Sequence, residues 1–303
     1  MQKIPQKKAK KILQKEEKFM KKEIIDVDKI FDRFLVKYID SHRGQYSEKE
    51  WEDKIPVLYE EFGKTPQEEL GGVAPEHYYD GLNGKELVET LKKHIEDEVA
   101  VSDFLCEAII ASGCENELAP FVNEGEDEEL VSYCVNLLND MNSTVAFPRY
   151  FDMLISENVC EDMKDLLCEM LKEKPEAAKE RALKEYKTAV SLDDKNGVKI
   201  YLLEILSCCK HDERIFEILI FELKTAKNGV QLYLPYVSKY GDERALPVLM
   251  ELIEKPDINY LDFKELKLAI EAFGGEYDKK RDFSTDKYYK KLKGGAVDES
   301  KLN

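Results

Sequence analysis

Glycine and proline are scarce in this chain of 303 residues, 15 and 10 in all, both below the usual share of a globular protein. That scarcity disfavours a turn-rich β architecture and favours helices. No window approaches 18 uninterrupted apolar residues, so no membrane-spanning helix is expected. The N-terminus has lysines but no apolar stretch after them, which argues against a secretory signal and for a cytoplasmic protein. The seven cysteines, at 106, 114, 134, 160, 168, 208 and 209, include no pair at zinc-knuckle spacing. An odd number scattered among apolar helical positions fits reduced thiols rather than a disulfide framework. The four histidines, His42, His77, His94 and His211, match no metalloprotease pattern, and no glycine-rich nucleotide fingerprint occurs. SLDDKNG at 191 to 197 has an acidic pair without the further acid that a diphosphate-binding helix needs. No metal, no cofactor and no catalytic residue is therefore expected.

What is abundant is charge, at 36% of residues against roughly 25% in an ordinary globular protein. The formal net charge is -17, unevenly spread. Residues 1–24 hold nine Lys against three Glu, or +6, and residues 277–303 hold eight basic against five acidic residues, or +3, which leaves -26 for the middle. A body that acidic repels phosphate backbones and argues against nucleic acid as a partner. The lysine arm at 1–24 carries Ile12/Leu13 and Phe19/Met20 seven apart. That stripe is open to contact with an anionic surface, lipid or RNA, or to docking on the acidic body itself.

Helical periodicity begins at once. Val27, Ile30, Phe31, Phe34, Leu35, Tyr38 and Ile39 repeat at three and four, with Asp26 or Asp28 as cap. Ser47 with Glu50 forms a capping box for a second amphipathic helix through Trp51, Ile55, Leu58, Tyr59 and Phe62, in which Pro56 predicts a kink. The stretch KTPQEELGGVAPEHYYDGL at 64 to 82 is a cluster of helix signals. Thr65, Pro66 and Glu68 read as a capping box, Gly71 as a left-handed stop, Pro75 as the start of a short turn, and Asn83 with Glu86 as the start of a longer helix. His77, Tyr78 and Tyr79 are left without a capping task. With nearby Trp51 they are the candidate binding residues of this region. The L-G-G-x-x-P portion loosely resembles an element of small helical modules in bacterial proteins, including toxin-binding domains of some antitoxins.

Further on, KNGVKIYL at 195 to 202 recurs as KNGVQLYL at 227 to 234, and HDERIFEIL at 211 to 219 recurs as GDERALPVL at 241 to 249. Two helices per unit, copied in order, describe a helical solenoid. AFPRYFDML at 146 to 154 aligns with ALPVLMELI at 245 to 253, and helices are expected near 102 to 112, 128 to 141, 160 to 173 and 176 to 189. Residues 195 to 276, and less regularly 99 to 194, resemble HEAT-like (armadillo-type) repeats of bacterial proteins, with ERALPVLMELIEKPD the best match. The resemblance implies an all-α fold, a superhelix of helix pairs with a concave groove, preceded by an N-terminal helical layer. The expected organisation is 1–98 as that layer, 99–276 as repeats and 277–303 as a polar tail.

Such a groove implies a non-catalytic binding scaffold, and the acidic body implies a basic protein or peptide as its partner, held more weakly as salt rises. Tyr233, Tyr236 and Tyr240, at i, i+3 and i+7, are candidates for lining it, or for packing between repeats. The alternative is a helical-repeat enzyme or nucleic-acid-processing protein, since some members of the resembling family excise DNA bases or act on bound tetrapyrroles. A basic groove with aromatic residues would mark that alternative.

Overall fold

The computed structural model describes residues 24–191, 197–226 and 229–294. The stripe expected at Ile12 to Met20 lies outside the described residues, as do the Lys-Asn pairs that open each KNG copy. The regular elements among the described residues are fifteen α-helices and four short 3-10 turns, with one isolated bridge, Gln67 to Val73. The chain is all-α, in two compact units that part between Ala146 and Phe147.

The first unit opens with α1 (Val27–Ser41), capped by the Asp26 carboxylate, which accepts from the Lys29 N–H. Then comes α2 (Glu48–Lys64), opened by the Ser47/Glu50 capping box. Helix α2 runs unbroken through Pro56. The carbonyl that loses a donor there, on Glu52, belongs to an exposed residue, so water can satisfy it. Next, Thr65 closes α2 rather than opening a new helix: its hydroxyl donates to the Glu61 carbonyl at 2.7 Å and its backbone is extended. Pro66 is the reason, because the residue before a proline is pushed out of the helical region. The turn Glu68–Leu70 starts from Gln67 with no side-chain cap and ends at Gly71 in the left-handed region, φ 70°.

The Pro75–His77 turn leads to α3 (Gly84–Glu96), where Asn83 and Glu86 form the expected capping box. Helices α4 (Asp103–Ser112), α5 (Glu115–Leu118) and α6 (Glu128–Asp140) complete the unit and pack with α3. Gly84 is required where α3 meets Cys114: an added Cβ would fall 2.4 Å from the cysteine Cβ. The core is aromatic. The Phe62 ring is fully buried, with centroids 5.3 Å from Phe31, 5.6 Å from Phe34 and 6.4 Å from Phe104. Burial of such a side chain contributes about 2–3 kcal/mol. His94, also buried, donates through Nδ1 to the Ala100 carbonyl at 2.8 Å.

The second unit comprises α7 (Phe147–Leu154), α8 (Glu161–Glu173), α9 (Pro175–Ser191), α10 (Val198–Ser207), α11 (Glu213–Thr225), α12 (Leu234–Tyr240), α13 (Ala245–Ile253), α14 (Tyr260–Ala272) and α15 (Lys287–Gly294). Helices α8, α10, α12 and α14 contact one another in order. On the other side α7 packs on α9 and α11 on α13, so the unit has two helical layers. The first KNG copy opens α10 directly behind Gly197, φ 66°. The second opens a 3-10 turn, Val230–Leu232, and α12 starts only at Leu234, with Pro235 in its first turn.

The two DER copies share one geometry. Asp212 and Asp242 each accept from the N–H and guanidinium of the arginine two residues on. Each arginine also reaches back to an earlier helix, Arg214 to Glu180 of α9 at 2.6 Å and Arg244 to Glu213 of α11 at 2.8 Å. Arg181 extends the pattern to Asp152 at 2.9 Å. Residues after 277 are not a bare polar tail, for their described part docks on α14. Tyr277 is buried against Phe263, Phe283 and Tyr289 pack on Tyr260, and Asp286 accepts from the Tyr260 N–H.

Candidate functional site

The first unit, residues 24–146, holds 29 acidic against 10 basic residues, net -19, whereas residues 147–303 hold 31 against 27, net -4. The acidity expected of the middle of the chain is therefore concentrated in the first unit. Within the first unit the imbalance is sharper still: between Lys93 and Arg149 the sequence has no lysine or arginine and 13 acidic residues.

The fold gathers a subset of these carboxylates. Asp103 and Glu107 lie on α4, Glu129 and Asp140 on α6, and Asp28 in the first turn of α1. Their fields meet at Cys106 and Tyr133. Burial pushes the Cys106 thiol up to about 11, and Asp103, Asp140, Glu107 and Asp28 add to the shift. Tyr133 is raised by burial and then by Cys106, Glu129, Asp28 and Asp103. Asp28 itself lies above the ordinary carboxylate value, through burial first and then the charges of Asp26, Asp103 and Asp32. Asp103, Glu107, Glu129 and Asp140 are exposed and make no ion pair among the described residues. Lys92, by contrast, serves Glu96 and Glu126 at 3.9 and 3.8 Å. The carboxylates of α4 and α6, two helices in contact, thus stand without cations of their own, and Asp28 of α1 joins them beside Lys29, which is paired with Asp26 at 2.8 Å.

Two hydroxyls lie beside this face, both buried and neither completing a hydrogen bond: Tyr79 Oη and Ser102 Oγ. They are each other's polar neighbours: burial pushes the Tyr79 phenol up to about 12, the Ser102 hydroxyl draws it down, and Tyr78, Asp28 and Cys106 push it further up. A buried polar atom without a partner costs about 1–3 kcal/mol.

The residues singled out in the sequence are distributed as follows. His77 is exposed between Glu76 and Asp80, at 3.4 and 3.1 Å, and Tyr78 packs edge-on against Tyr79 at 5.1 Å. Trp51 belongs to a separate aromatic corner, with Tyr46 at 5.0 Å and Tyr38 at 6.3 Å, where His42 stacks on Tyr38 and Lys54 sits over Tyr46. Tyr233, Tyr236 and Tyr240 have separate surroundings. Tyr240 is buried, and its hydroxyl accepts from the Asp212 N–H and donates to the Asp212 carbonyl, both at 2.9 Å. Tyr233 lies 5.7 Å from the Lys199 ammonium, and half-buried Tyr236 feels Glu204, Cys168 and Lys172.

The second unit's polar interior is otherwise occupied. Glu222, 5% exposed, accepts from Tyr186 Oη at 2.6 Å and Lys199 Nζ at 3.1 Å. Two shallow clefts flank α14. One of about 270 Å³ holds Leu268, Glu265 and Gln231, and one of about 390 Å³ holds Asp262 between Lys224 and Lys255. Asp262 accepts from Asn259 Nδ2 at 2.7 Å and, at 3.4 Å each, from the Gly229 and Gln231 N–H groups, and so fixes the loop before α12. Among the described residues no three His, Cys, Asp or Glu side chains are placed to hold a metal ion, and no helix is long and apolar enough to cross a membrane.

The chain matches no protein-family model, no curated protein and no solved structure. What the chain does offer chemically is the anionic face. One sequence signal for it was legible in advance, the run from 94 to 148 without lysine or arginine. The contribution of Asp28, some 75 residues from Asp103, was not, because only the fold brings α1 to α4.

Proposed function

We propose that this protein is a non-catalytic scaffold of HEAT-like (armadillo-type) helical repeats whose anionic face, built on α1, α4 and α6, docks a cationic protein or peptide. The observation that carries the reading is the set of exposed carboxylates Asp103, Glu107, Glu129 and Asp140, unpaired and converging with Asp28 around Cys106 and Tyr133. Such a face attracts lysine and arginine side chains at long range and repels phosphate backbones, so a protein partner fits and a nucleic acid does not. The repeats would act as the rigid body that carries it, their arginine pairs linking one copy to the next. A cytoplasmic location fits seven unpaired cysteines, of which the buried ones have thiols raised by burial and held inert.

The test is fluorescence anisotropy with a labelled peptide of alternating lysine and leucine. The full chain is expected to bind it at least about tenfold more weakly when salt is raised from about 50 to 300 mM, because screening shortens the reach of surface charge. The variant Glu107→Gln/Glu129→Gln/Asp140→Asn should weaken binding by a similar factor. A control neutralised in the second unit, Glu217→Gln/Glu243→Gln/Glu276→Gln, should not. Equal loss in both variants would reduce the reading to general electrostatic attraction and sink it.

A further inference from the structure

We propose that the anionic face has an occupant in the same chain: the lysine-rich segment 1–23, which competes in cis with any cationic partner. This rests on the reading of the face given above. Three observations support it. The segment carries nine lysines against three glutamates, the opposite sign to the unit it precedes, net +6 beside -19. It ends where the face begins, since residue 24 lies two positions before the Asp26 cap and four before Asp28, which is itself one of the converging carboxylates. Finally, the face offers acceptors that nothing in the described chain fills. The carboxylates of Asp103, Glu107, Glu129 and Asp140 lack a counter-ion, and the buried Tyr79 and Ser102 hydroxyls have only each other as polar neighbours.

Lysine is a donor only, so it matches carboxylates that lack a counter-ion. Reach is ample: 23 residues extend to about 75 Å, against a helix of 13 residues, about 20 Å, for α6. Ile12, Leu13, Phe19 and Met20 add apolar side chains between the lysines, so the segment is a cationic amphipathic ligand of the class the face would select in trans. Tethering sets the strength of the competition. A segment held at about millimolar effective concentration, competing for a site of about 10 μM affinity, raises the apparent Kd of an outside ligand about a hundredfold.

The experiment compares the full chain with a full-length variant, Lys7→Gln/Lys8→Gln/Lys10→Gln/Lys11→Gln, using a fluorescein-labelled synthetic peptide of residues 1–23 as the probe. The variant is expected to bind the probe at least about tenfold more tightly than the unaltered chain, because its own segment competes less. Adding Glu107→Gln/Glu129→Gln/Asp140→Asn to the variant should remove that gain. Zero-length carbodiimide cross-linking of the unaltered chain should join lysines of residues 3–22 to peptides containing Glu107, Glu129 or Asp140 within one molecule. If the unaltered chain and the lysine variant bind equally, and both lose binding when the face is neutralised, the face stands and occupancy in cis is overturned. If neutralising the face changes neither, both readings fall together. Circular dichroism of each variant separates these outcomes from unfolding.

Discussion

The two units are built from the same material, amphipathic helices with buried aliphatic and aromatic stripes, yet they use charge in opposite ways. In the second, 31 acidic residues stand against 27 basic ones, and carboxylates tie successive helix pairs together: Asp152 to Arg181, Glu180 to Arg214, Glu213 to Arg244, Glu204 to Lys172. In the first, 29 stand against 10, α1 and α4 pack on α2 through Phe31, Phe62 and Phe104, and the ion pairs between elements are few, Arg33 to Glu69 and Lys92 to Glu126. A carboxylate in the second unit is part of the framework. One on the first unit's face costs the fold some self-repulsion, which a bound cation would relieve.

The largest test of that contrast removes one carboxylate from each unit. Glu222→Ala strips the acceptor from Tyr186 and the counter-ion from Lys199 in a largely buried setting, and should cost about 3 kcal/mol of the second unit's stability. Glu107→Ala, exposed and surrounded by like charge, should change the first unit by about 0.5 kcal/mol at most. Urea unfolding can keep the two apart, because Trp51 is the sole tryptophan and its fluorescence reports the first unit, while far-ultraviolet dichroism follows both. A loss of comparable size from both substitutions would erase the distinction.

Much of this architecture was legible in the sequence, and the exceptions have physical causes. Helix boundaries near 103, 128, 161 and 175 follow from periodicity and caps, which act within a few residues. The DER copies were legible as a repeat because each reproduces its own local turn, Asp accepting from the Arg N–H. Thr65 was misread because Thr-Pro-x-Glu carries a capping pattern, while proline's effect on the residue before it ended α2 there instead. The tyrosines at 233, 236 and 240 have the spacing of one helix face, but α12 begins at Leu234, leaving Tyr233 outside and turning Tyr240 into the interior. The anionic face was half legible: its missing cations are a composition fact, its convergence on Cys106 a consequence of tertiary packing.

A middle-sized test uses hydroxyls in place of charges. Tyr240→Phe deletes both bonds to Asp212, which join the end of α12 to the cap of α11, and should cost about 1–1.5 kcal/mol. Tyr79→Phe deletes a buried hydroxyl whose one polar neighbour, the Ser102 hydroxyl, is not in good hydrogen-bond geometry, and should cost little or stabilise the first unit by up to about 1 kcal/mol. Should Tyr79→Phe prove as damaging as Tyr240→Phe, the first unit is more tightly bonded at its face than the contrast allows, and the vacancy there is filled from within.

The smallest effects carry opposite signs, which makes them diagnostic. Asp28 has its carboxyl held above its ordinary value of 3.8 by burial and by neighbouring Asp26, Asp103 and Asp32. Its charged form is therefore disfavoured by folding, a penalty in full force above the folded value and relieved as pH falls toward and below 3.8. Asp242 has its carboxyl held below 3.8 by the Arg244 guanidinium. Its contribution is favourable above 3.8 and lost as pH falls through the lower folded value. Asp28→Asn should thus raise the first unit's stability at pH 7 by about 0.2–0.5 kcal/mol, the usual size of a like-charge penalty, and make no difference once pH drops below about 3.8. Asp242→Asn should lower the second unit's stability at pH 7 by about 0.5 kcal/mol, as exposed pairs do. Added salt should shrink both differences, because the same screening weakens repulsion in one unit and attraction in the other. If both substitutions move stability in the same direction at pH 7, the two units do not differ in how they use their carboxylates, and the face on α4 and α6 loses its claim to be a surface held for a cation.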